Sequence, residues 1–393
     1  MEILNTILNN QYKYLLKWMK KWDKKFLKDF IPSVLTKQTT IMKDLALNTK
    51  KNTKKTCERN SVFLAKESFK LLPEKIEKRC LGLLWDITNE EYICIDEVDI
   101  AKPTAKKMED LKKIRDWSTS KIVNGYMYHG VSVRNIPVIM EYEDLSNNFK
   151  IFYFKKIINK IYKFTKWKWT YLLDAGYDIA SYIEFLNSKK ITYIIRAKKN
   201  RWFIDENNNK KKLKDFKDWI HKVFIKEVKN PVFLHIKTNS KFPEPMRVLS
   251  NSEKINVKEY KKRWEIETIF KSMKQEFKLE KIQAQSLQVF RNIVAIVQLA
   301  VSLTSSTYNI THKFKWTKLF QCTNSFTRKF AKYAKHQALT MNKNSIIGFI
   351  SKIIENMYKW RKKYKWKIAT KKSKIPAQLS LFSIVEDEKT GEI

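Results

Sequence analysis

Two aspartates stand where a buried strand meets the surface. Asp96 follows Tyr92-Ile93-Cys94-Ile95, and Asp174 follows "WTYLL" just ahead of Ala175 and Gly176. A short continuous apolar run reads as a strand buried on both faces. An acid at its end is held by a rigid element and still reaches a ligand. If the two strands are adjacent and parallel, both acids come to one edge of one sheet. Carboxylates gathered there are hard oxygen donors, suited to divalent cations. Taken singly, each is also an ordinary strand-end aspartate that opens a turn. Glu97 and Asp99 compete with Asp96 for the role, and Gly176 is read as permitting a sharp turn.

A third carboxylate, Glu267, lies in "YKKRWEIETIFKSMK", residues 260–274. At helical spacing Tyr260, Arg263, Glu267 and Lys274 share an arc of about 60°. Ile266, Ile269, Phe270, Met273 and Phe277 fill the neighbouring arc. An apolar stripe would pack on the core, with a polar line along its edge. The plain alternative is an Arg263–Glu267 pair one turn apart on a solvated helix.

The elements that must position these residues follow from periodicity. Residues up to about 84 read as basic amphipathic helices, with Pro32 as a break. "EYICID", "NGYMYHGVSV" and "IPVIMEYE" read as strands, the last two joined near Arg134 and Asn135. "FKIFYFKKIINKIYKF" reads as a helix, "WTYLLDAGYD" as a strand, "IASYIEFLNSK" as a helix and "ITYIIRAKK" as a strand. That order predicts a mixed α/β layer. "DENNNKKKLKD" reads as a loop, and the strands around it as a small β-rich insertion. "VFRNIVAIVQLAVSL" carries Arg291, Asn292 and Gln298 and is shorter than a membrane span, so it reads as a buried core helix. Trp202 and Trp219 are expected to be buried structural side chains, with stacking on a flipped base as the alternative.

Composition points to a partner. The 393 residues carry 80 Lys+Arg against 40 Asp+Glu, a formal charge of +40. Part of the lysine excess is what AT-rich codon usage would give. The rest would hinder compaction by self-repulsion unless a polyanion offsets it. Nucleic acid comes first and an anionic membrane surface second. Cys57, Cys80, Cys94 and Cys322 show neither metal-ligand spacing nor a disulfide framework. The five histidines, His129, His221, His235, His312 and His336, form no ligand pattern. No secretory signal is evident, and a reducing bacterial-type cytosol is expected.

The spacing Y-x2-R-x3-E-x6-K from Tyr260 to Lys274 resembles the signature of insertion-sequence DDE transposases, which have a ribonuclease H-like core. "YICIDEVDIAKP" resembles that family's first-aspartate region. "WTYLLDAGYDIASYIEFL" followed by "TYIIRAKKNR" resembles its second. The resemblance extends from about Glu90 to Leu303. It implies an α/β fold: a ribonuclease H-like mixed sheet flanked by helices, with a β-rich insertion. The implied divisions are a DNA-binding helical segment at 1–84, a core at 85–200 and 251–303, the insertion at 201–250, and basic helices with an acidic tail at 304–393. It implies Asp96, Asp174 and Glu267 as catalytic metal ligands for two Mg²⁺ or Mn²⁺ ions. Tyr260, Arg263 and Lys274 would then grip DNA phosphates rather than neutralise Glu267. Lys102, Lys198, Lys199 and Arg201 are expected along the DNA path. The partners implied are terminal inverted repeats and target DNA, bound by a homodimer that meets through its C-terminal helices. The reaction implied is cut-and-paste transposition, often by way of a DNA hairpin.

Overall fold

The structure is a computed structural model and describes residues 19–46, 52–84, 91–144, 150–165, 169–238 and 244–313. The expected C-terminal dimer contact and acidic tail lie outside the described residues.

Alternating and continuous apolar runs between 92 and 143 build an antiparallel meander. Its strands are β1 (Tyr92–Ala101), β2 (Lys112–Arg115), β3 (Ile122–Val133) and β4 (Ile136–Glu143). Strand β3 pairs antiparallel with β1 on one side and with β2 and β4 on the other. Arg134 and Asn135, with φ of 51° and 62°, form the two-residue turn between β3 and β4. Two left-handed residues match the twist of a tight hairpin, and Asn tolerates that region well.

The helical run from 150 follows as α5 (Lys150–Thr165), after α1 (Lys21–Lys37), α2 (Met42–Ala46), α3 (Thr53–Ala65) and α4 (Leu72–Gly82). Next come β5 (Thr170–Leu173), α6 (Ala180–Ser188) and β6 (Tyr193–Arg196). Strand β5 is parallel to both β1 and β6. The core order β4-β3-β1-β5-β6, three antiparallel strands followed by two parallel crossovers, is the mixed sheet of a ribonuclease H-like fold.

The segment read as an insertion holds β7 (Trp202–Ile204), β8 (Lys210–Lys212), β9 (Ile220–Val223), β10 (Val232–Lys237) and β11 (Met246–Ser250). Its last three strands extend the core sheet, because β11 pairs antiparallel with β6. Strands β7 and β8 form a separate hairpin, so Lys210–Lys212 is a strand and not the expected loop.

Helices cover both faces of the sheet. On one face the ring of Tyr126 stacks on Phe290 at 4.3 Å, within α8 (Leu287–Lys313). On the other, His129 stacks on Tyr153 of α5 at 5.9 Å. Helix α8 is buried from Val289 to Leu303 on most sides, as its composition predicts. Two of its buried polar residues bond to neighbouring backbone. Asn292 donates to the Leu64 carbonyl at 2.8 Å and Ser302 to the Pro137 carbonyl at 2.7 Å.

Helix α1 differs from expectation, because it runs through Pro32 without a break. An interior proline costs about 3 kcal/mol. Phe26, Leu27, Phe30, Ile31 and Val34 are all buried along the same helix and hold it in place. Among the described residues, no helix is long and apolar enough to cross a membrane.

Candidate active site

The register of the parallel strands decides where the aspartates lie. Cys94 pairs with Leu172 and Ile95 with Leu173. One step further along both chains are Asp96 and Asp174, side by side at the carboxyl ends of two central strands. Strand β1 does not end at Asp96, as its sequence suggests, but continues to Ala101 along β3. What ends is its parallel neighbour: β5 stops at Leu173. Asp96 therefore sits inside a strand yet at the open edge of the parallel pair.

Asp174 caps the following 3₁₀ turn, Ala175–Tyr177, and its Oδ1 accepts from the Gly176 amide. Gly176 has no left-handed φ. It matters for closeness instead: a Cβ there would lie 3.0 Å from Asp174 Oδ1. The glycine thus lets the amide reach the carboxylate, and is not needed for a sharp turn.

Residues 257–276 form three short helical pieces in place of one regular helix. A 3₁₀ stretch at Val257–Arg263 leads into α7 (Trp264–Lys271), and a π turn follows at Ser272–Glu276. The uniform helical wheel applies only to the middle piece. Helix α7 lies on β1 and β3, and Gly130, which pairs with Asp96 across the sheet, permits this. A Cβ at Gly130 would lie 2.5 Å from the Phe270 ring. Glycine in a strand often marks such a close approach. By this packing α7 brings Glu267 toward Asp96.

Arg263 links the two. Its Nη1 donates to Asp96 Oδ2 at 3.1 Å and its Nη2 to Glu267 Oε1 at 2.5 Å. The guanidinium is buried, whereas the Glu267 side chain is 50% exposed. The fork of Arg suits two carboxylates at once. Tyr260 is also buried, and its hydroxyl donates to the Leu173 carbonyl at 3.0 Å. Lys274, carried round by the π turn, pairs with Asp99 at 2.8 Å. Arg263 and Lys274, expected to face phosphates, are here paired with carboxylates, and Arg263 offsets the charge of Asp96 and Glu267. Tyr260 likewise has its hydroxyl committed to the backbone.

Burial raises the Asp96 pKa to about 7, aided by the charges of Asp174 and, less strongly, Glu267. The Arg263 charge and the Glu97 amide oppose the shift without cancelling it. Two acids crowded in a half-dry edge thus call for more positive charge than Arg263 supplies. In kind, three carboxylates fit a divalent oxygen-seeking cation. In this arrangement Arg263 stands between two of them. Among the described residues, no three His, Cys, Asp or Glu side chains converge tightly enough to cage an ion.

The remaining basic candidates divide. Lys102 is buried, and its ammonium donates to the carbonyls of Leu279 and Ile282 at 2.6 and 3.0 Å. Burial lowers its pKa to about 7. Lys102 was expected on the DNA path; in this structure its head ties β1 to the segment after α7. Arg201 pairs with buried Asp178 at 2.7 Å, and Lys199 with Glu244 at 2.7 Å. Lys198 gives its amide to Asp178 and keeps a half-buried side chain. Asp178 was missed in the sequence, although it sits four residues after Asp174 in the same turn. Trp202 and Trp219, expected inside, are 46% and 74% exposed. In β7 the neighbouring Phe203 takes the buried side and leaves Trp202 on the open one. Lys210 and Lys212 cover its ring instead, at 5.0 and 4.8 Å.

Comparison with known proteins bears on this edge. A solved synaptic complex of piggyBac transposase with hairpin DNA is similar at TM-score 0.45 and 10% identity. That likeness covers 90% of this chain and 83% of the other, and at that score it decides nothing about this chain. No curated protein matches it. The family model for the transposase DDE domain matches residues 90–303, more than half of the sequence and all three carboxylates. The chain belongs to the DDE transposases, enzymes of DNA transposition that generally depend on divalent metal ions.

Proposed function

We propose that Asp96, Asp174 and Glu267 are the catalytic carboxylates of this transposase and hold Mg²⁺ or Mn²⁺, two ions in the working complex. The observation that carries the reading is the parallel register, which sets Asp96 beside Asp174. Glu267 is joined to the same group through Arg263. A divalent cation bound there supplies the charge that activates a water or a 3′-hydroxyl and stabilises the departing 3′-oxygen.

The chain's own groups then have distinct tasks. Asp96 and Asp174 present oxygens from rigid strand ends. Glu267 comes from a half-exposed helix position and can turn toward them. Arg263 balances the carboxylates and sets the Glu267 carboxylate near Asp96. Tyr260 fixes the start of this segment on the end of β5, and Lys274 fixes its end on Asp99. Lys198 beside the site is suited to a DNA phosphate, and the exposed Trp202 to stacking on an unpaired base.

The substrate is the terminal inverted repeat of the element. The reaction is hydrolysis at the element end followed by strand transfer into target DNA, cut-and-paste. Two ends must be joined to one target, so a homodimer acts on them. The test is cleavage of a labelled duplex carrying the repeat that flanks the reading frame, with Mg²⁺, Mn²⁺ or EDTA. Metal-dependent nicking, and labelled ends joined to a plasmid, support the reading. Nicking in EDTA, or equal nicking by Asp174→Asn, would sink it. Nicking without joining would make the protein a nuclease.

A further inference from the structure

Strand β3 is longer than the core sheet requires. Beyond its pairing with β4 it continues back to Ile122, and residues 122–125 pair with β2 alone or at the rim of β1. The β2–β3 hairpin thus projects past Ala101, the carboxyl end of β1, which lies five residues beyond Asp96. Ile122 lies eight residues before Gly130, the partner of Asp96. At about 3.3 Å per residue the tip stands about 26 Å from Asp96 along the strand.

The tip is firmly built. The Asp116 carboxylate accepts from the Ser118 amide at 2.9 Å, the Ser118 hydroxyl at 2.6 Å and the Thr119 hydroxyl at 2.7 Å. Its amide donates to the Lys121 carbonyl at 2.9 Å. Ile114 is buried beneath. This frame displays apolar surface in water: Trp117 is 60% exposed and Ile122 65%. The Arg115 guanidinium lies 4.9 Å from the Trp117 ring. Lys113, Arg115 and Lys121 are exposed. The nearby acids are already engaged, Asp116 in the turn, Glu109 with the Leu287 amide, and Asp110 with Lys112 and the Tyr142 hydroxyl. Cations without acid partners around an aromatic face suit a polyanion whose sugars and bases offer flat surface.

We propose that this hairpin is a second DNA contact, gripping the same duplex end whose scissile phosphate lies at Asp96. Trp117 packs on the sugar–phosphate wall, and Lys113, Arg115 and Lys121 meet its phosphates. The contact is indifferent to sequence and, for a duplex lying along β3, falls about 8 base pairs from the cut at 3.4 Å per pair. The distance rests on the assignment of Asp96 to the site.

The experiment uses the full chain and a labelled duplex with the flanking inverted repeat. Lys113, Arg115 and Lys121 are changed together to Gln, with Ile114 and Asp116 left to hold the hairpin. Each lost phosphate contact lowers the slope of log affinity against log salt by about 0.9, so the slope falls by about 2–3. A photoreactive phenylalanine analogue in place of Trp117 crosslinks near the eighth base pair from the cut. An unchanged slope with an unchanged melting temperature overturns the proposal. So does loss of strand transfer alone with end binding intact, which would mark a target contact. Should the triple variant melt early, the crosslink position still decides, because the protein substituted at Trp117 keeps all three cations. If Asp96→Asn cleaves like wild type, the distance frame fails, while the salt slope still reports whether the hairpin binds DNA.

Discussion

Replacing Asp96 by Asn removes activity and, without metal, makes the protein more stable at neutral pH. The Asp96 carboxyl rises from a pKa of 3.8 unfolded to about 7 folded, through burial first and the Asp174 charge second. A raised acid favours the protonated form in the folded state. Its contribution is therefore fully present below pH 3.8 and is lost as pH rises through 7. A shift of about three units corresponds to about 4 kcal/mol, at 1.36 kcal/mol per unit. Asn resembles the protonated acid and does not ionise, so it escapes that loss. Urea denaturation in EDTA, run from pH 5 to pH 8, compares the two proteins. The advantage of Asp96→Asn grows by about 2–3 kcal/mol between pH 5 and 7 and then levels. Added Mg²⁺ reverses the order at pH 8 by stabilising wild type alone. A difference independent of pH, or one that shrinks as pH rises, refutes the reasoning.

Arg263→Ala leaves buried Asp96 without its cation and costs about 3 kcal/mol, most of it above pH 7, read by the same denaturation series. Gly130→Ala drives a methyl into the Phe270 ring, lowers stability by about 1–3 kcal/mol and slows cleavage, and Phe270→Leu in the same chain restores part of both. Lys102→Met leaves the Ile282 carbonyl unmet and the Leu279 carbonyl with the Ile282 amide alone, so melting falls by an amount equal to about 1–3 kcal/mol while affinity for end DNA stays within about twofold. A large loss of DNA affinity at full stability would return Lys102 to the DNA path.

Strand runs were readable because β1, β5 and β6 are buried on both faces and therefore continuously apolar. Asp96 and Asp174 were readable for the same reason, as acids that interrupt such runs. The extension of β1 past Asp96 was not, because Glu97 and Asp99 break the apolar run while β3 keeps the backbone bonded. The uniform wheel over 260–274 failed where backbone geometry changes: neither the 3₁₀ stretch nor the π turn has a residue pattern of its own. Pro32 misled because tertiary burial outweighed a local penalty. Trp202 misled because its neighbour Phe203 takes the buried side of β7, and Trp219 because it precedes β9 on an exposed stretch. Strand β2, "KKIR", has one buried residue and no periodicity to reveal it. Gly130 was the overlooked signal, a glycine inside a strand opposite the first aspartate.

The central claim is that Glu267 completes a metal site with Asp96 and Asp174, and Glu267→Gln tests it most directly. The variant keeps the shape of the side chain and can still accept from Arg263, so folding and duplex binding persist. Mg²⁺-dependent nicking of the labelled end is measured beside wild type in the same preparation. The account predicts a fall of about a hundredfold or more, since even partners outside the metal shell cost tenfold to a hundredfold. Nicking at the wild-type rate by a folded, DNA-bound Glu267→Gln protein would contradict it.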